Sequence, residues 1–159
     1  FICEHSTEGT MGLIVNKPLL GVKFGDVCRQ VGAPEPGSPV PPVYYGGPVS
    51  PENGFILHTG ISGDQENTLR VSPSVYLSAD RALLSAISEG HGPGQFLFAL
   101  GYSGWGPGQL EDEIRDDGWL VVPADDPVIF DLPDDTKWKS AAQRNGINLD
   151  FFSISGGTA

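Results

Sequence analysis

Cysteine is scarce in this sequence, with two among 159 residues, Cys3 and Cys28, and they form neither a C-x-x-C pair nor any other metal-type spacing. That excludes a disulfide-built scaffold, and it suits a reducing, cytoplasmic setting. Positive charge is scarce as well: nine Lys and Arg stand against 20 Asp and Glu, a formal charge of −11. Such a surface repels phosphate backbones and anionic lipid heads, which disfavours direct nucleic-acid binding. The basic residues are also dispersed, and only Lys137, Lys139 and Arg144 share one short segment. No apolar run is long enough to span a bilayer. Histidine occurs three times, as His5, His58 and His91, without H-x-x-x-H or H-E-x-x-H spacing. The sequence therefore offers no metal site and calls for no cofactor. It also lacks a G-x-S-x-G elbow, a Walker loop and a G-x-G-x-x-G fingerprint.

What is abundant is punctuation. The 22 glycines and 14 prolines are scattered, which predicts many turns and short elements in one domain. Hydrophobic residues make up 39%, enough for a packed interior. Residues 1–3 read as a strand, Glu4 to Gly9 as a turn, and Met11 to Asn16 as the second strand of a hairpin. Phe24, Val27, Cys28 and Val31 fall on one helical face, stopped by Gly32 and Pro34. Strands are expected at Val43–Tyr45, Gly54–Thr59 and Thr68–Ser72, the last continuing to Leu77 after a kink at Pro73. Ser78 is read as the cap of a helix that ends at Gly90. Gln95–Leu100 is almost wholly apolar and predicts a central strand buried on both faces. A glycine-rich loop over 101–108, a helix over 109–117 and strands at 119–122 and 128–130 follow. A helix capped by Thr136 runs to Arg144, and Phe151–Ile154 forms a final strand. The predicted fold is α+β: a mainly antiparallel or mixed sheet with about four interspersed helices in one compact domain over residues 1–159.

Two constellations could carry chemistry. Cys3 and His5, two residues apart on a strand, share a face, where an imidazolium would lower the thiol pKa and make a nucleophile or redox-sensitive thiol. The alternative is a buried hydrophobe beside a turn residue. The second is Gly101-Tyr102-Ser103-Gly104-Trp105-Gly106-Pro107-Gly108, between a buried strand and a helix, where backbone amides could hold a small anion or nucleotide. Glu111, Asp112 and Glu113 would oppose that anion, so a purely structural role competes.

Several blocks together resemble the bacterial AlgH/YqgE family. They are Ile2-Cys3-Glu4-His5, Met11-Gly12-Leu13-Ile14-Val15-Asn16-Lys17-Pro18, Tyr45-Gly46-Gly47-Pro48-Val49, Gly54-Phe55-Ile56-Leu57-His58, and the run from Ala99 through Gly104-Trp105 to Ile114, then Trp119-Leu120. The resemblance implies an uncharacterised, cytoplasmic bacterial protein of α+β fold, with a further strand preceding Phe1, under a label of transcriptional regulator. The family commonly has Arg where Asn53 stands and a small residue where Thr10 stands. It also often has a C-terminal His, which Gly156-Gly157-Thr158-Ala159 lacks. The functional expectation is a non-catalytic regulatory domain that binds a protein partner through Gly46, Gly47, Pro48, His58, Tyr102, Gly104, Trp105, Gly106 and Gly108. The Cys3/His5 thiol and the 101–108 anion site are the alternatives.

Overall fold

The computed structural model describes residues 1–60 and 67–149. The chain runs β1 (Ile2–Ser6), β2 (Gly9–Gly12), α1 (Phe24–Val31), β3 (Val43–Tyr45), β4 (Val49–Thr59), β5 (Thr68–Arg70) and β6 (Val75–Ser78). It continues with α2 (Arg81–Ser88), β7 (Phe96–Trp105), α3 (Gln109–Arg115), α4 (Asp126–Phe130) and α5 (Asp134–Arg144). The strands form one sheet in the order β1-β2-β7-β4-β6-β5, with β3 joined to β7 outside that path. The β3–β7 pairing is parallel and the others are antiparallel, so the sheet is mixed as expected.

The apolar run at 96–100 is the centre of the fold because both of its faces find partners. Leu97 and Ala99 join Leu57, Leu77 and Tyr44 on one face, where Ile129 covers them. Phe98 joins Ile56 and Val43 on the other, under Phe24 and Cys28 of α1 and Leu83, Leu84 and Ile87 of α2. Alternation along β7 thus feeds two cores from one strand. Phe24 meets Phe98 edge to face at 5.4 Å between ring centroids. Gly32 closes α1 at φ +69°, in the left-handed conformation a helix stop uses.

Several local expectations are corrected. β1 runs on to Ser6, and β2 ends at Gly12 because Leu13 and Ile14 turn their N–H groups to Phe1 and Gly46 instead. Pro73 marks a hairpin and not a kink, since β5 and β6 pair antiparallel. Ser78 lies in β6, and the cap of α2 is Asp80, which accepts the Ala82 N–H at 2.8 Å. Residues 101–105 continue β7 instead of looping. Residues 119–122 form no regular element, and 128–130 are helical, with Pro127 in the first turn and Val128 and Ile129 buried. α5 begins at Asp134, before Thr136. The strand expected at 151–154 lies outside the described residues.

Candidate functional site

The sequence-selected residues do not assemble into one pocket. Cys3 is 6% exposed, its Sγ set 3.6 Å from the Phe1 carbonyl, and burial pushes its pKa up to about 11. A bulge between Ile2 and Glu4 shifts the register of β1. His5 faces solvent, its Nδ1 2.7 Å from Thr10 Oγ1 and its Nε2 3.3 Å from Glu111 Oε1. The imidazole is thus engaged away from the thiol, and the thiol is held in its neutral form.

His58 is 1% exposed, so it does not belong to a surface. Its Nε2 lies 2.9 Å from Ser78 Oγ, which lies 2.6 Å from Thr68 Oγ1, and the ring stacks on Tyr76. Burial pulls the His58 pKa below its ordinary value. A serine–histidine contact this deep is a buried hydrogen-bond chain, since substrate cannot reach it.

Gly46 and Gly47 are buried too, and only Pro48 of that trio is exposed. Here the link from β3 to β4 crosses β7. A Cβ on Gly46 would sit 2.2 Å from the Gly101 carbonyl oxygen, and one on Gly101 would sit 2.4 Å from the Gly47 carbonyl oxygen. Gly101 also has φ +70°. These glycines let two backbones touch. Tyr102 is half-buried against Phe55, and Gly104, Gly106 and Gly108 are exposed.

Trp105 belongs to a clasp around one carboxylate. Its indole N–H donates to Glu113 Oε2 at 3.0 Å, and that of Trp119 donates to the same oxygen at 2.6 Å. Gln109 donates to Glu113 Oε1 at 2.9 Å, and its own Oε1 accepts the Gly106 N–H at 3.0 Å. These hydrogen bonds, that of Trp119 foremost, hold the Glu113 carboxyl below its ordinary pKa. The Gly106 amide is therefore already taken, and Glu111 and Asp112 occupy the first turn of a helix of only seven residues. That arrangement opposes an anion instead of cradling one.

The concave feature of this side of the sheet is a cleft that sequence reading did not identify. It lies between α1, α2 and the β4–β7 strands, with a volume of about 580 Å³. Ile56, Phe98 and Leu100 form its floor, Val27, Val31 and Leu84 its walls, and Asp26, Gln30, Glu52, Asp80 and Arg81 its rim. Gly54 leaves room for the Phe98 ring, since a Cβ there would meet the ring at 2.8 Å. The helical face read from Phe24, Val27, Cys28 and Val31 is divided: Phe24 and Cys28 enter the core, while Val27 and Val31 border the cleft. The rim comes from three separated segments, so no local pattern announces it. Its lining contains no Ser, Thr, Cys, His or Lys. Two of its carboxylates are committed, Asp26 to Arg29 at 2.9 Å and Asp80 to the α2 cap. Among the described residues no group of three His, Cys, Asp or Glu is placed to hold a metal ion, and no helix is long and apolar enough to cross a membrane.

The fold is that of a single-domain α+β protein with a cleft on one face of a mixed sheet. Residues 1–150 match the AlgH-like family, to which this chain belongs. A UPF0301 protein of Saccharophagus degradans is 41% identical over 160 residues, spanning 100% of this chain and 78% of the relative. One of Nitrosococcus oceani is 43% identical over 161 residues, spanning 96% and 82%. The solution structure of AlgH from Pseudomonas aeruginosa superposes with a TM-score of 0.79 at 37% identity, over 99% of this chain and 84% of that one. A crystal structure from Corynebacterium diphtheriae shares the fold, with a TM-score of 0.67 at 24% identity over 91% and 75%.

Proposed function

We propose that this protein is a non-catalytic regulatory domain of the cytoplasm that acts by docking a protein partner in the cleft between α1 and α2. The observation that carries this reading is the composition of the cleft: an apolar floor and walls, and a polar rim whose carboxylates have no Ser, Thr, Cys, His or Lys beside them in the lining. Such a surface is suited to binding by burial of apolar side chains. The charge of −11 argues that a regulatory role runs through protein and not through DNA. The thiol reading draws less support, because Cys3 is buried with a raised pKa. So does the anion reading, because the Gly106 amide is occupied and acidic residues surround it.

Site-specific photo-crosslinking tests the proposal. A photoreactive side chain at Val27 is expected to capture a discrete partner from cell extract. The product is expected to vanish when Val31→Asp is added, and to be absent when the probe sits at Lys139, outside the cleft. Equal labelling from Val27 and Lys139, or labelling insensitive to Val31→Asp, would overturn docking at this site.

A further inference from the structure

The rim of the cleft carries more information than its floor. Asp26, Glu52 and Asp80 supply carboxylates and Arg81 the sole cation of the lining. Around the α1 side the imbalance persists. Arg29 is shared between Asp26 at 2.9 Å and Glu35 at 2.7 Å, so two carboxylates divide one guanidinium. Glu52 is exposed at the β4 edge of the cleft, and its side chain makes no hydrogen bond or ion pair with the described residues. An apolar trough bordered by surplus carboxylate is complementary to a particular kind of surface. A segment that inserts Leu, Ile or Phe into the floor meets acids as it emerges. A Lys or Arg there can lay its aliphatic stem on Val27 or Val31 and reach Glu52 with its charged end.

Resting on the docking reading above, we infer that the partner presents an amphipathic segment with lysine or arginine flanking its apolar anchors, seated with those anchors against the half-buried Val27, Val31 and Leu100, above the buried Ile56 and Phe98. This is groove recognition of an apolar stripe, with the rim charges selecting the sign of the flanks. An acidic or nucleic-acid ligand would face three carboxylates with one arginine to offset them.

The test is an NMR titration of the full chain with a synthetic leucine–lysine amphipathic peptide and with its leucine–glutamate counterpart. The leucine–lysine peptide is expected to shift amides of α1, α2 and residues 98–100 saturably, more weakly as salt is raised. Glu52→Lys is expected to lower its affinity about fivefold, with Glu52→Gln intermediate. Glu52 is exposed, and an unchanged far-UV circular dichroism spectrum will show that both variants fold. The leucine–glutamate peptide is expected to bind at least about fivefold more weakly than its basic counterpart. Equal binding of the two peptides would overturn the basic partner while leaving the cleft a docking site. Absence of cleft shifts with either peptide would overturn it too, and the Val27 crosslinking result would then decide the docking reading separately. If the same amides shift with protein concentration alone and sedimentation shows a dimer, the occupant is a second copy of this chain and the inference fails.

Discussion

At the scale of single residues, His58 shows how an environment converts a titratable group into a stability term. Its ring is enclosed, hydrogen-bonded to Ser78 and stacked on Tyr76, and burial favours the neutral imidazole. The folded pKa lies below the ordinary value of 6.5, so as pH drops through 6.5 the unfolded chain takes up a proton that the folded one refuses. Stability is therefore fully present above 6.5 and declines below it until the folded pKa is reached, with a slope of up to about 1.4 kcal/mol per pH unit. Denaturant unfolding between pH 7 and the onset of carboxylate protonation is expected to show this loss in the wild type. In His58→Gln, which can still offer an N–H to Ser78, the loss is expected to be absent; the exposed His5 and His91 are common to both proteins and cancel. His58 looked exposed in sequence because it ends an apolar run before a polar loop. Alternation along β4 was the better guide, since it puts His58 on the side of Ile56. Cys3 makes the complementary point. A thiol lifted to about 11 by burial is expected to react with iodoacetamide far more slowly than a free cysteine at pH 8. Its rate is expected to rise with denaturant and not with protonation of His5. Fast native labelling with an apparent pKa near the unperturbed value of about 8.5 would restore the thiol reading.

At the scale of elements, the decisive object is β7 and the glycines that let the β3–β4 link cross it. Gly101 sits at φ +70° with the Gly47 carbonyl oxygen where a Cβ would go. Gly101→Ala thus combines a disfavoured conformation with a clash against backbone that cannot rotate away. We expect a loss of about 3 kcal/mol or more, read as a fall in the urea midpoint. Gly106→Ala is the control: its nearest foreign atom would be the flexible Gln109 Oε1 at 3.9 Å, and little change is expected. This crossing also explains what was legible. Periodicity gave the order of strands and helices from β1 to β4 and from α2 to α3, the two-faced burial of 96–100, and the stops at Gly32 and Gly90, because each depends on local chemistry. The glycine-rich 101–105 looked like a loop because glycine is usually a breaker. Here it is present because another backbone lies against the strand, a fact no local window contains. Val128–Phe130 reads as strand by composition, yet Pro127 and the burial of Val128 and Ile129 favour a helical turn.

At the scale of the whole molecule, the sheet is a partition between a cleft-bearing helical layer of α1 and α2 and an opposite layer of α4 and α5. The cleft was illegible in sequence because its rim gathers α1, the start of β4 and the approach to α2, each unremarkable alone. The opposite layer is fastened by a group that sequence reading counted only as surface charge. Lys137 is 4% exposed: its Nζ donates to the Val15 carbonyl at 2.8 Å, lies 2.9 Å from Asp134 Oδ1, and stands 5.4 Å from the Tyr44 ring centroid. Tyr44 donates to the same carboxylate at 3.2 Å, and burial together with the Asp134 charge pushes its pKa up to about 12. Lys137 thus ties α5 to the segment that follows β2, and Asp134 ties it to Tyr44 of β3. Lys137→Ala removes both stem and charge and strands Asp134 beside a neutral phenol, so a loss of about 2–4 kcal/mol is expected in urea unfolding. Lys137→Met keeps the apolar stem, which isolates the charge. Combined with Asp134→Asn it leaves no unpaired ion, and the double variant is expected to recover about 1–3 kcal/mol relative to the sum of the single losses. Additive losses would mean that the two groups do not act as a pair, and that burial of Val128, Ile129 and Ala142 alone holds this layer to the sheet.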